Sequence, residues 1–150
     1  MNTIKDIMTR DVEVATPDMT LKDAARLMKS KDIGSLPICE GRKVTAVVTD
    51  RDITIRGVAE GRDPATTKVS QVMSREVVTV REDDDLREAE RLMRDRQLRR
   101  LPVVNDRDEL VGYLAMAKVA REESPERAGD VLKGVSRPSS PGTTESYGTG

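Results

Sequence analysis

A threonine and three charged residues follow directly on an apolar, β-branched run in the segment TAVVTDRDI, residues 45–53. Thr49 and Asp52 stand three residues apart, where the pattern predicts that a strand ends and a helix begins. Threonine and aspartate oxygens cap helix starts, and the same hydroxyl and carboxylate groups can hydrogen-bond a ligand. The segment is therefore either an ordinary helix cap or a place where the end of a strand holds a ligand.

The composition narrows the possible chemistry. The chain of 150 residues contains no histidine, which removes the commonest general acid or base and the commonest zinc ligand. Without a metal-ligand cluster or a paired-carboxylate pocket, nothing nominates a reaction, so we predict no enzyme activity, no catalytic residue and no metal site. The net charge is −1 and the arginines lack aromatic stacking partners, which argues against nucleic acid as a ligand.

Features that would place the chain in or across a membrane are missing from the sequence. No window approaches the roughly 20 apolar residues of a membrane span, and the start of the chain has no apolar signal-peptide core. The single cysteine, Cys39, excludes an intrachain disulfide and is expected to be a small buried strand residue, with a redox role or an intermolecular disulfide as the alternative. We expect a cytoplasmic protein.

The chain repeats itself at a distance of 65 residues. Between positions 8 and 37, eleven residues are identical to those 65 positions further on. After one extra residue in the second copy, VTAVV at 44–48 aligns with LVGYL at 110–114. Each copy predicts a strand, a helix, two strands around a hairpin turn and a second helix. The predicted strands are 12–15, 36–39 and 44–49, then 77–80, 102–104 and 110–115; the second helices begin near Asp50 and Met116.

The predicted domains follow this repeat. They are repeat 1 at 1–60, a linker at 61–67, repeat 2 at 68–121, a partly helical extension at 122–136 and a disordered tail at 137–150. A β-α-β-β-α unit of about 55 residues can bury little of its sheet alone. We therefore predict an α/β fold with α+β-like layers, in which the two copies pack sheet to sheet with pseudo-twofold symmetry.

These elements resemble a CBS domain pair, or Bateman module, over about residues 3 to 121. The similarity rests on the DIMT segment at 6–9, echoed at 71–74, and on the SLPI and RLPV strands. DIGSLPIC followed by TDRDI is similar to small stand-alone bacterial CBS-pair proteins, including the hypoxic-response type. The resemblance implies two clefts between the repeats, adenine nucleotides as common ligands, and a homodimer of stacked chains.

The resemblance also implies that the two clefts are unequal. Nucleotide-binding repeats of the family carry a G-h-x-T/S-x-x-D pattern, where h is apolar. The resemblance implies that the aspartate accepts hydrogen bonds from both ribose hydroxyls, and that the threonine caps the helix or binds a phosphate oxygen beside the free N–H groups of the helix start. The first copy keeps Thr49 and Asp52, although Ala46 stands in place of the glycine. The second copy has Ala115 and Lys118 at the matching positions, and an ammonium group cannot accept ribose hydroxyl protons. We therefore expect one equipped cleft and one degenerate cleft.

Each cleft of the family combines residues from both repeats. Gly34 and Ser35 would serve the degenerate cleft without charge, whereas Arg99 and Arg100 would lie where the phosphates of the equipped cleft lie. The alternative is that these two arginines belong to a solvated charged surface beside the acidic run at 82–85. This alternative applies more strongly to Arg94 and Arg96. The ligand-binding residues carried over from the family are Val47, Thr49, Arg51, Asp52, Met73, Val78, Leu98, Arg99 and Arg100.

Two functions follow from these observations. The first is a non-catalytic regulatory sensor that binds one adenosine nucleotide, AMP, ADP or ATP, as a regulatory ligand, with no cofactor. Its expected partners are a second copy of the chain and an unidentified protein. The alternative is a ligand-free dimeric scaffold for protein–protein interaction, which the degenerate cleft and Ala46 favour.

Overall fold

The computed structural model describes residues 3–122, so the predicted extension, apart from its first residue, and the predicted tail lie outside the described residues. No helix in this part of the chain is long and apolar enough to cross a membrane. The helices are α1 (Ile4–Ile7), α2 (Leu21–Lys31), α3 (Asp50–Asp52), α4 (Leu86–Arg96) and α5 (Met116–Glu122), with a π-helix at Ile53–Val58 and a 3-10 turn at Val69–Gln71. The strands are β1 (Ser35–Glu40), β2 (Lys43–Thr49), β3 (Val80–Arg81), β4 (Arg100–Val104) and β5 (Leu110–Ala115).

Backbone contacts divide the described chain into two compact units. The first unit comprises residues 13–77, and the second comprises residues 3–12 together with 78–122. The sequence repeats therefore exchange their opening segments, which we call the lead-in segments (3–9 and 68–74). The lead-in segment of each copy belongs to the unit that holds the other copy's helices and hairpin.

The first unit is built on an antiparallel hairpin of β1 and β2 with a bulge at Ile38 and Cys39. Gly41 occupies the turn with a φ of 65°, a conformation that a residue without a Cβ adopts without strain. The predicted opening strand at 12–15 is wrong in its length, because only Ala15 pairs with β1. Pro37 accepts a hydrogen bond from the Ala15 N–H but has no N–H to continue the parallel ladder toward residue 13.

The second unit repeats this arrangement with a three-stranded sheet. β3 pairs in parallel with β4, and β4 pairs antiparallel with β5, with a bulge at Val103 and Val104. The predicted opening strand at 77–80 shrinks here to Val80–Arg81. The reason is the same, since Pro102 stands at the position of Pro37 and cannot donate to the ladder.

The long helices begin and end with capping residues that the sequence makes recognisable. Thr20 accepts a hydrogen bond from the Asp23 N–H at 3.1 Å, one of the two bonds of a capping box, and Asp85 caps α4. Both helices end on a left-handed residue, Asp32 with a φ of 53° and Gln97 with a φ of 55°. The two copies therefore share their helix ends even where the residue types differ.

Each unit has its own apolar core, and a lead-in segment completes it. In the first unit the lead-in side chains of Val69, Val72 and Met73 are buried with α2, β1 and β2. In the second unit three equivalent side chains join α4, β4 and β5. These are Ile4, Ile7 and Met8, each at most 6% exposed. The apolar residues of the lead-in segments are thus core residues of the opposite copy.

We expect Gly112→Ala to destabilise the chain by about 1–3 kcal/mol, because it overpacks the contact between β5 and a lead-in segment. A Cβ on Gly112 would lie 2.5 Å from Met8 Sδ and 3.0 Å from the Thr9 carbonyl oxygen. The Thr9 backbone cannot retreat easily, since its N–H and C=O both pair with Tyr113, at 2.8 and 2.9 Å. Urea unfolding followed by circular dichroism measures the change.

The matched control is Ala46→Gly, because Ala46 occupies the equivalent, fully buried position of the first unit and already carries a Cβ. This substitution is expected to cost about 0.5–1 kcal/mol through backbone entropy. A Gly112→Ala protein as stable as the native chain would contradict the overpacking argument.

Candidate functional site

The Thr49–Asp52 turn joins β2 to the helical segment that follows it. Thr49 Oγ1 accepts a hydrogen bond from the Asp52 N–H at 3.0 Å, and the Thr49 N–H donates to Asp52 Oδ2 at 2.9 Å. These reciprocal bonds form a capping box in which aspartate takes the place of the usual glutamate. The helix-cap interpretation of the sequence is confirmed, and it fixes both side chains without a ligand.

The capping box leaves hydrogen-bonding capacity on both side chains. Asp52 is half-buried, and its Oδ1 atom accepts no hydrogen bond from any residue between 3 and 122. The Thr49 hydroxyl uses its oxygen as an acceptor in the cap, so its proton can still be donated. The turn therefore presents one fixed carboxylate oxygen and one hydroxyl proton to a polar molecule.

The lead-in segment of the second copy lies beside the end of β2. The Val47 N–H donates to the Ser74 carbonyl, and the Ser74 N–H donates to the Val47 carbonyl, both at 2.9 Å. Met73, the neighbour of Ser74, is only 8% exposed. Since the Val47 N–H is already occupied, a ligand contact by Val47 would come from its half-buried side chain.

The structure places five of the predicted site residues in the first unit and four in the second. The first unit holds Val47, Thr49, Arg51, Asp52 and Met73, all on the end of β2, the turn after it or the adjoining lead-in segment. The second unit holds Val78, Leu98, Arg99 and Arg100. The contribution of both groups to one ligand stays a prediction.

Arg99 and Arg100 differ in their surroundings within the second unit. The Arg99 side chain is exposed, and its carbonyl accepts a hydrogen bond from the Met116 N–H at 2.8 Å. Arg100 begins β4 and is half-buried, and its buried Nε has no hydrogen-bond partner among the described residues. A buried guanidinium N–H without a hydrogen-bond partner is suited to donate to an anion. Val78 and Leu98 pack against the core of the second unit.

The equivalent turn of the second unit repeats one backbone hydrogen bond of the first, but its side chains differ and it leads into the α-helix α5 where the first unit has a π-helix. Met116 N–H bonds to the Arg99 carbonyl just as the Asp50 N–H bonds to the Gly34 carbonyl, at 2.9 Å. β5 ends at Ala115, whose methyl group can neither cap a helix nor bind a ligand by hydrogen bonds. The half-buried Lys118 carries donors only. The two copies therefore differ in the side chains of the turn and in the helical segment that follows it.

Arg56 is a residue that the sequence analysis did not select. It lies on the π-helix, and its Nη1 donates to the Val72 carbonyl at 3.2 Å and to the Met73 carbonyl at 3.4 Å. Extending the alignment of the two copies pairs Arg56 with Glu122, a reversal of charge. The charge reversal can be read from the sequence, but it lies beyond the aligned strand segments 44–48 and 110–114.

Cys39 differs in its chemistry from the polar and charged residues described above. Its side chain is 7% exposed in β1, as predicted, and burial raises the pKa of the thiol above its usual value. The thiol is therefore protonated at neutral pH and is a weak nucleophile. Among residues 3–122, no group of three or more histidine, cysteine, aspartate or glutamate residues could hold a metal ion.

The presence of two similar units in one chain agrees with its match to a known protein family. The model of the CBS domain matches this chain twice, over residues 4–56 and 69–124. The chain belongs to the CBS domain family. The predicted resemblance to a CBS pair is confirmed, and with it the mixed α/β fold class.

Individual CBS proteins are similar to this chain along almost their whole length. CBS domain-containing protein YhcV of Bacillus subtilis is 41% identical over 137 residues, which are 91% of this chain and 96% of that protein. The crystal structure of Hypoxic Response Protein I, with two coordinated zinc ions, is 35% identical with a TM-score of 0.74, covering 82% of this chain and all 100% of that one. The complex of CBSX2 with AMP is 28% identical with a TM-score of 0.70, covering 81% and 96% of the two chains. These similarities support a regulatory, ligand-binding module.

Proposed function

We propose that this CBS pair is a non-catalytic regulatory module that binds one adenosine nucleotide, AMP, ADP or ATP, at the Thr49–Asp52 turn. The observation that carries the proposal is the state of the Asp52 carboxylate. Oδ2 is held by the Thr49 N–H at 2.9 Å, while Oδ1 accepts no hydrogen bond from the described residues. An aspartate held in this way can accept hydrogen bonds from the 2′- and 3′-hydroxyls of a ribose without reorganising.

Two further observations support an adenosine nucleotide as the ligand. CBSX2, which is 28% identical, has been crystallised in complex with AMP. Arg100 has a buried guanidinium nitrogen with no partner among residues 3–122, which suits a phosphate oxygen. The assignment of Arg99 and Arg100 to the phosphates remains a prediction, as do the homodimer, the protein partner and the cytoplasmic location.

Such a module acts as a sensor if its nucleotide binds two conformational states with different affinities. A ligand shifts a conformational equilibrium only by its difference in affinity for the two states. A nucleotide at the Thr49–Asp52 turn would favour whichever state holds the turn and the lead-in segment 68–74 in the bound geometry. The response then passes to a second copy of the chain or to a separate protein.

Isothermal titration of the native chain with adenosine, AMP, ADP and ATP tests the proposal. We expect saturable binding of at least one of them with a stoichiometry of one per chain, and weaker binding of the matching guanosine nucleotide. Absence of both heat and thermal stabilisation at millimolar nucleotide would rule out the proposed ligand class. A stoichiometry of two would contradict the single equipped site.

A ligand-free scaffold is the second candidate, and two observations favour it. The capping box satisfies Thr49 and Asp52 within the protein, so neither residue needs a ligand to explain it. Ile55 and Val58 on the π-helix are also 46% and 60% exposed, as apolar contact residues would be. Sedimentation of the chain with and without nucleotide separates the two functions, because a scaffold associates equally in both conditions.

A further inference from the structure

Arg56 connects the helical segment after Asp52 to the lead-in segment 68–74. One guanidinium nitrogen, Nη1, bonds to two consecutive carbonyls, those of Val72 at 3.2 Å and Met73 at 3.4 Å. These carbonyls follow the 3-10 turn Val69–Gln71, where the backbone leaves the regular hydrogen-bond pattern. A cationic donor is suited to them because carbonyls at the end of a helical turn carry partial negative charge.

Met73 is thereby held between two fixed points. On one side Arg56 bonds to the carbonyl of Met73 itself, and on the other side Ser74 exchanges two backbone bonds of 2.9 Å with Val47 on β2. Val47 and Met73 are both among the residues carried over as ligand-binding. The side chain of Arg56 therefore adds two hydrogen bonds to the segment that lies against the end of β2.

The second unit lacks this connection. Glu122 stands at the position of Arg56, and a carboxylate cannot donate a hydrogen bond to the equivalent carbonyls of Ile7 and Met8. The backbone bonds that hold the lead-in segments are otherwise the same in both units. The N–H groups at positions 4 and 5 donate to the carbonyls at 84 and 82, at 3.0 and 2.9 Å, and those at 69 and 70 donate to the carbonyls at 19 and 17, at 2.8 and 3.2 Å. The bonds from Arg56 are therefore an addition that the first unit alone has among the described residues.

The arginine therefore occurs in the unit that keeps Thr49 and Asp52, and the glutamate occurs in the unit that has lost their counterparts. This coincidence links Arg56 to the binding turn rather than to the stability of the fold in general, because both units fold but only one carries the arginine.

We infer that Arg56 is a positioning residue for the nucleotide site: it holds Met73 and Ser74 against β2 and makes no contact with the ligand itself. The inference rests on the proposed function, since it takes the Thr49–Asp52 turn as the binding site. It adds a residue outside the T-x-x-D pattern and states how that residue acts.

The test compares Arg56→Met with Arg56→Lys in the full chain. Methionine keeps much of the apolar stem and removes both charge and donors, whereas lysine keeps the charge and a donor. For Arg56→Met we expect the Kd values of adenosine, AMP and ATP to rise by the same factor, about three- to tenfold for the loss of the two hydrogen bonds. Arg56→Lys should recover part of this loss, and the control Glu122→Gln in the second unit should leave all three Kd values unchanged.

The ligand series separates positioning from direct contact. A loss that grows from adenosine to AMP to ATP would show that Arg56 binds phosphate and would overturn the inference. Unchanged affinity for all three ligands would overturn it as well, even if the melting temperature fell.

A measurement without nucleotide keeps this inference distinct from the proposed function. In Arg56→Met the Ser74 amide should exchange its hydrogen faster than in the native chain, while the equivalent Thr9 amide should not change. If the native chain binds no nucleotide, the proposed function fails and the role of Arg56 in binding fails with it. If nucleotide binds and the Ser74 exchange rate is unaltered, only the inference about Arg56 fails.

Discussion

Asp52→Asn is expected to weaken nucleotide binding by about 1.5–3 kcal/mol, which is about ten- to hundredfold in Kd, with little change in stability. The asparagine Oδ1 can take over the role of Asp52 Oδ2 and accept from the Thr49 N–H, so the cap is retained. The amide NH2 then replaces the second oxygen, and it can only donate where a ribose hydroxyl pair needs an acceptor. Isothermal titration measures the affinity, and urea unfolding checks the fold.

Two control variants define what the result means. Asp52→Ala removes the ribose acceptor and also the capping bond to Thr49, so it should lose binding and about 1 kcal/mol of stability together. Lys118→Ala changes the matching position of the second unit and should leave binding nearly intact. Equal losses in Asp52→Asn and Lys118→Ala would refute the assignment of a single equipped site.

Leu36→Ala and Leu101→Ala are each expected to lower the free energy of unfolding by about 2–5 kcal/mol. The two leucines occupy the same position of the repeat, and both are 0% exposed. Each belongs to the core of a different unit, so the pair measures whether both cores contribute similarly to stability. Truncation to alanine removes three carbons of each leucine side chain from closely packed surroundings and leaves cavities that the fixed strands cannot close.

The matched control uses the exposed pair Lys29→Ala and Arg94→Ala, which also stand 65 positions apart. These should change stability by no more than about 0.5 kcal/mol. Urea unfolding followed by far-ultraviolet circular dichroism suits a chain without tryptophan. A loss below about 1 kcal/mol at either leucine would contradict its place in a closely packed core.

Most of the regular elements could be predicted because their signals are local. α2 and α4 follow from apolar residues at helical spacing, and the predicted hairpin strands agree with β1, β2, β4 and β5 to within two residues. The opening strands are shorter than predicted, because β-branched residues favour a strand locally but the prolines that face them cannot donate to the ladder. Pro37 and Pro102 end both ladders, and which residue a proline faces depends on strand pairing.

The repeat, and the difference between the two copies at their turns, can be predicted from the order of residues alone. The contrast of Thr49 and Asp52 with Ala115 and Lys118 is a matter of residue type at aligned positions, which needs no coordinates. The capping geometry follows as well, because its partners are three residues apart.

The folded chain shows, as the sequence does not, which lead-in segment completes which core and that Arg56 reaches the carbonyls of Val72 and Met73. The apolar pattern of a lead-in segment shows that it is buried but not which hydrophobic surface buries it, and both units offer a similar one. The repeat alone does not show to which unit each lead-in segment belongs. That depends on the path of the chain between the elements, which brings distant backbone groups together and cannot be read from their periodicity.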